Sequence, residues 1–236
     1  MGVLRLGSLL GKRDKQTAAR AAKREEIEMK KIHVEVRYTE ELLGTASADP
    51  EIHSRFIASK AADAASIEEE VAAIGVEGAT ERATTVFPKQ DGEPFLWDYQ
   101  WKGFFKDSCG MMRRATGSKS AKIKAYKKEI DGLVFVVPRK VTLVLPEGET
   151  MGECQRPLRA STAQGERIAL AHSETVPAGT TQAFDVALLK DDLLPVVLEW
   201  LAYGEFHGTG QWRNSGKGRF VCRVTDEDGK VLHDTL

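Results

Sequence analysis

Residues 204–219 read Gly-Glu-Phe-His-Gly-Thr-Gly-Gln-Trp-Arg-Asn-Ser-Gly-Lys-Gly-Arg, with an amphipathic helix pattern before them and a strand pattern after them. The stretch holds Gly204, Gly208, Gly210, Gly216 and Gly218 together with the cations Arg213, Lys217 and Arg219. Glycine tolerates φ > 0 and lets the backbone approach a neighbour closely. Such a loop can aim N–H groups at an anion, or it can be a tight turn joining helix to strand. Two nucleotide motifs are excluded. Gly216-Lys217 is followed by Gly218 where a Walker A loop needs Ser or Thr, and Gly208 to Arg213 does not complete GxGxxG.

The flanks supply the element order. Upstream, Asp192 is the expected cap of a helix with Leu193, Leu194, Val197, Leu198 and Leu201 inward, Pro195 in its first turn and Gly204 as its stop. Downstream, Phe220, Cys222 and Val224 mark the inward face of a last strand. At the other end, Ile32, Val34, Val36 and Tyr38 alternate with His33, Glu35 and Arg37, a half-buried strand. Residues 51–74 read as an acidic helix closed by Gly75. Asp98 is the expected cap of a second amphipathic helix carrying Trp101, Phe104, Phe105, Ser108 and Met112 on one face and Lys102, Lys106 and Arg113 elsewhere. Gly103 and Gly110 lie seven residues apart in that helix and suggest a close backbone neighbour or a ligand. Trp97, Tyr99 and Trp101 at its entrance read as core or as base-stacking groups. Residues 133–145 give two strands broken at Pro138, residues 152–183 are irregular with Arg156, Arg159 and Arg167, and residues 184–189 form a further strand.

Strand, helix, strands, strand, helix, strand predicts an α+β class. The arrangement is ferredoxin-like or RRM-like: an antiparallel sheet backed by two helices, with an acidic helical insertion and an irregular β-rich insertion. Residues 1–28 form a tail, a polar helix or disordered, and Met29 is a plausible alternative start. Residues 29–236 form one domain with insertions at about 45–93 and 116–183. Recognition-motif domains that bind single-stranded RNA share this architecture, but fold alone does not assign function.

Composition narrows the classes. The longest apolar run is Leu133-Val-Phe-Val-Val137, far short of the ~20 residues a membrane helix needs. Arg5 interrupts the first leucines, so no secretory core is expected. Three widely spaced cysteines, Cys109, Cys154 and Cys222, suit a reducing cytoplasm and match no metal-knuckle spacing. Net charge is −1, yet it is segregated. Residues 49–81 carry eight acids against Arg55 and Lys60. Residues 113–140 carry nine bases (Arg113, Arg114, Lys119, Lys122, Lys124, Lys127, Lys128, Arg139, Lys140) against Glu129 and Asp131. The basic block is either a polyanion site or a solvated loop.

Three segments together resemble the RAMP superfamily, the repeat-associated proteins that form RNA-binding backbones and processing enzymes of CRISPR complexes. They are the helix of residues 99–115 with its Lys102-Gly103 step, the turn Val176-Pro-Ala-Gly179 leading into the strand at Phe184, and the glycine-rich loop of residues 208–220. The chain is also similar to phage and prophage proteins of that group. Glu41-Leu-Leu-Gly-Thr45 is similar to the turn that follows the family's first strand, whereas an acidic helix follows it here where many members have a loop.

The resemblance implies non-catalytic binding of single-stranded nucleic acid, RNA rather than DNA, through phosphate contacts, by an oligomer or filament in the bacterial cytoplasm, with no cofactor, metal or membrane partner. The binding residues would be Lys102, Lys106, Arg113, Arg114, Lys119, Lys122, Lys124, Lys127 and Lys128, with Gly208, Gly210, Trp212, Arg213, Gly216, Lys217, Gly218 and Arg219 of the loop. Trp212 can stack a base, and Arg213 can instead brace the loop internally. Processing enzymes of the family imply a rival reading as an endoribonuclease. By residue type it would use His33, His172 or His207 as base, or Asp49 with a metal. A third reading is a structural self-assembling protein, the acidic helix of one copy meeting the basic region of the next.

Overall fold

The computed structural model describes residues 29–47, 84–162 and 165–236. The 1–28 tail, Asp49 and the acidic helix expected at 51–74 lie outside the described residues. The alternation at the start of the chain is realised: Ile32, Val34, Val36 and Tyr38 are buried along β1 (Lys30–Tyr38). The central sheet also contains β2 (Val134–Val137), β3 (Thr181–Leu188), β4 (Phe220–Asp226) and β5 (Val231–Asp234). Its order is β5-β4-β1-β3-β2 with every neighbour antiparallel; Val34 lies opposite Phe184 on one side and Val224 on the other.

Helix α1 (Asp98–Met112) lies between β1 and β2 in the chain, the short α2 (Tyr126–Leu133) leads into β2, and α3 (Leu194–His207) lies between β3 and β4. This is the ferredoxin-like order 4-1-3-2 with one added edge strand, so the α+β expectation holds. The core joins the apolar face of the sheet to α1 and α3. Trp101 sits 4.5 Å from the ring of Phe184 and 5.5 Å from that of Phe220, and Phe105 sits 5.7 Å from Trp200. Trp97 and Trp101 are both core, which decides their role against stacking. No helix among the described residues is long and apolar enough to cross a membrane.

Several details differ from the sequence reading. Residues 152–183 are not irregular: Gly152–Thr162 and Gly165–Val176 form a long antiparallel hairpin. Pro157 disguised it. A proline is tolerated there because, among the described residues, the outer strand pairs on one side only, with Gly165–Val176. The base of the hairpin adds Leu42–Leu43 and Thr84–Val86, and Ala46–Ser47 pairs with the latter. A separate small sheet joins Lys89–Gln90, Glu93–Trp97 and Lys140–Thr142.

Asp192 does not cap α3. It forms an ion pair with Lys190 at 3.0 Å, and a 3-10 turn, Asp191–Leu193, leads into the helix. Asp98 is already the first helical residue; its carboxylate accepts the N–H of Tyr99 at 2.9 Å, and Gln100 accepts that of Trp97 at 2.7 Å. Gly103 faces open space, whereas Gly110 lies against the Tyr126 hydroxyl. Burial pushes the Cys222 thiol up to about 12, so it is a packing group.

Gly204 does not stop α3, which runs three residues further to His207. Its role is steric: a β-carbon there would land in the ring of Phe220, which is wholly buried. Gly204→Ala should therefore destabilise the fold. Helix propensity alone favours alanine by about 1 kcal/mol, but overpacking costs roughly 1–3 kcal/mol and dominates. Urea unfolding followed by tryptophan emission checks this; an unchanged or raised midpoint would show that Phe220 can yield.

Candidate nucleic-acid interface

The glycine loop is built around backbone contact. Gly208 has φ 72° and its N–H closes α3 onto the carbonyl of Gly204 at 3.0 Å. The N–H of Thr209 donates to the carbonyl of Gly218 at 2.8 Å, and that of Gly218 donates to the carbonyl of Glu41 at 2.9 Å. A β-carbon on Gly208 would sit 2.7 Å from the carbonyl carbon of Gly218, and one on Gly210 would sit 2.8 Å from Leu42. Gly218 is closed off in the same way by the carbonyl of Thr209. These three glycines are needed for packing, at φ between 69° and 73°. The N–H groups of Gly208, Thr209, Ser215, Gly216 and Gly218 all bond within the chain, so the loop is not a cradle of amides aimed outward.

The loop's cations divide. Arg213 donates to the Asp107 carboxylate of α1 and lies 2.6 Å from His207 Nε2, which is itself 2.6 Å from Asp107. It braces the loop, as one reading of the resemblance implies. Burial works to raise the Asp107 carboxyl, but the hydrogen bonds and charges of His207 and Arg213 outweigh it and hold the group below the usual carboxylate range. Lys217 pairs with Glu41, so it too is held inward. Arg219 is exposed. Trp212 takes a left-handed backbone conformation, φ 54°, and its indole is 40% exposed. Over that indole, at 5.0 Å, lies the guanidinium of Arg156, from the foot of the long hairpin.

The basic block is a separate surface. Arg113, Arg114, Lys119, Lys122, Lys124, Lys127 and Lys128 are all exposed, and none forms an ion pair among the described residues. The segment is pinned by one carboxylate: Glu199 of α3 accepts the N–H groups of Lys119 at 2.8 Å and Ser120 at 3.0 Å and the hydroxyls of Ser118 at 3.0 Å and Ser120 at 2.5 Å. Burial raises this carboxyl, but those donors prevail and depress it. Trp200 Nε1 donates to the same serine at 2.9 Å. Lys102 and Lys106 do not join the block. They turn toward α2 and β2, Lys102 donating to the Asp131 carbonyl at 3.1 Å and lying over Phe135, Lys106 pairing with the Asp131 carboxylate at 2.5 Å. Burial lowers the Lys102 ammonium.

The uncovered face of the sheet is balanced in charge. Lys31 and His33 meet Asp185 at 2.9 and 2.8 Å, and Arg223 meets Asp234 at 3.0 Å and Glu35 at 3.9 Å. The proposed bases are scattered: His33 is on this face, His207 is tied into the loop brace, and His172 lies on the hairpin opposite Gln155. No group of three or more His, Cys, Asp or Glu that could hold a metal occurs among the described residues. Sequence reading missed Arg156, Asp107, Glu199 and Glu41, because each partner is remote along the chain.

No family model and no curated protein matches the chain. A solved structure does: a chain of the Type III-B Cmr-beta bound to cognate target RNA, determined by cryo-EM, superposes with a TM-score of 0.51 at 11% identity over 92% of this chain. The match spans 66% of that other chain, and at such identity the likeness is one of fold.

Two consequences of the pinning are measurable. Asp107→Asn should speed amide exchange across residues 208–219 while leaving β1 protected, at a cost near 1 kcal/mol because the pair is part-exposed. Protection unchanged in the loop would show that the glycines alone hold it. Both Asp107 and Glu199 have depressed carboxyls, so their contributions are complete above the ordinary carboxylate range and are lost as pH falls through their lower folded values. Thermal melts from pH 7 to pH 3 should show the wild type losing more stability than an Asp107→Asn, Glu199→Gln double variant. Parallel pH profiles would contradict this.

Proposed function

We propose that this chain binds single-stranded nucleic acid, RNA in preference to DNA, through its phosphates and with little sequence preference, as a RAMP-type backbone protein that coats the strand as an oligomer. The observation that carries the reading is the block of seven exposed cations from Arg113 to Lys128, none in an ion pair among the described residues although Arg113 lies over the Tyr126 ring, with its Ser118–Ser120 turn held by Glu199. A loose lysine-rich loop would lose conformational freedom on binding; a pinned one is already arranged. The sheet face used by recognition-motif domains is a poorer candidate, because Lys31, His33 and Arg223 there meet carboxylates and its central strands present His33, Glu35, Arg37 and Arg223 rather than aromatic rings. The fold shared with a chain of an RNA-bound complex supports RNA as the partner class and assembly as the mode.

The loop contributes at its outer side, through Arg219 and Trp212. Lys217 serves Glu41 first. Head-to-tail association through acidic residues 68–70 and a neighbour's basic block follows from the segregation of charge in the sequence.

Titration of a labelled RNA oligonucleotide at several salt concentrations tests the reading. Log affinity should fall by about 0.7 per log salt for each phosphate neutralised, reaching roughly 5 if all seven cations engage. Lys124→Ala, Lys127→Ala and Lys128→Ala together should leave the melt almost unchanged, since surface changes usually stay within ~0.5 kcal/mol, and should flatten the slope by about two units. No binding at 50 mM salt would refute the proposal. Light scattering with and without RNA tests assembly: a salt-sensitive oligomer is expected, and a monomer in both states would remove the coating mode.

A further inference from the structure

Among the described residues, Arg156 is a buried cation without an anion. It is 7% exposed, its Nη2 donates to Gln211 Oε1 at 2.7 Å, and its Nη1 is enclosed with no hydrogen-bond partner. Gln211 cannot supply more, because its own amide nitrogen is committed to the carbonyl of Gly44 at 3.0 Å. Burying a guanidinium without a carboxylate is costly, and such groups concentrate at functional sites. Its guanidinium also lies over the Trp212 indole, which belongs to the left-handed residue of the glycine loop. Of the four tryptophans, Trp97, Trp101 and Trp200 are 2% exposed or less, and Trp212 stands apart at 40%.

We infer that Arg156 and Trp212 form a discrete nucleotide site at the junction of the long hairpin and the glycine loop: the guanidinium takes one backbone phosphate and the indole takes the neighbouring base. In the free chain the two groups satisfy each other by a cation–π contact. A nucleotide exchanges that one contact for two, a charge-assisted Arg–phosphate bond and base–indole stacking. Gln211, anchored on Gly44, keeps the guanidinium in place during the exchange. The inference rests on the nucleic-acid reading above and adds to it a fixed point at which the strand is gripped, set apart from the diffuse attraction of the basic block.

The test follows two signals in one titration with single-stranded RNA: anisotropy of the labelled strand and intrinsic tryptophan emission. Because Trp212 is the exposed indole, binding at this site should quench emission in step with anisotropy, and Trp212→Leu should remove the quench and weaken binding about 10-fold. Arg156→Met keeps the volume and removes the charge. It should melt at or above the wild-type temperature, bind RNA about 10-fold more weakly and lower the salt slope by one phosphate equivalent. A purely structural Arg156 gives the reverse, a lower melt with affinity kept, and overturns the site. If Arg156→Met fails to fold, the wild-type emission decides alone: anisotropy rising with no change in emission removes the site and leaves the general binding proposal standing. No anisotropy change at all removes both.

Discussion

The contact on which the rest of the molecule depends is Phe220 against Gly204. Because the helix has no side chain there, the last turns of α3 can lie directly on the first residue of β4. Trp101 and Phe104 of α1 close over the same ring at 5.5 and 5.4 Å, so one aromatic side chain ties both helices to the sheet. With helix end and strand start so close, residues 208–219 have nowhere to extend. They fold back on themselves, and Gly208 and Gly218 meet backbone to backbone. The glycine richness of the loop is thus a consequence of helix–strand packing, and what the loop exposes is Trp212 and Arg219.

The elements most legible in the sequence were those with one buried face. β1, β4 and α1 each carry a clean apolar period, and with the apolar run of α3 their order was enough for the ferredoxin-like arrangement; in α3 itself Val196 and Trp200 are buried while the expected Leu194 and Leu198 are only half-buried. The hairpin of residues 152–176 was hidden because Pro157 breaks the apparent strand and its apolar residues do not alternate cleanly. Helix ends were misplaced where local cues competed with tertiary contact: Asp192 had Lys190 within reach, and Gly204 had an aromatic ring to receive. The candidate site was legible in part. Charge density marked residues 113–128, but the sequence could not tell that Lys102, Lys106, Arg213 and Lys217 spend their charges on Asp131, Asp107 and Glu41. Arg156 carried no local signal, since its significance is a missing partner.

Ion pairing therefore distinguishes the surfaces more clearly than motif does. Among the described residues three situations occur: a sheet face on which Lys31, His33 and Arg223 meet carboxylates, a loop whose cations are mostly internal struts, and one segment whose cations are exposed and outside any ion pair. In the proposed reading, long-range attraction would fall to the third and defined contact to the exposed edge of the second.

Photocrosslinking of the full chain to oligouridylate RNA, read out by mass spectrometry of the crosslinked peptides, addresses the central claim most directly. The account predicts crosslinks on peptides containing residues 113–128 and Trp212, diminishing together as salt rises. Crosslinks confined to the uncovered sheet face around His33 and Arg223 would contradict it.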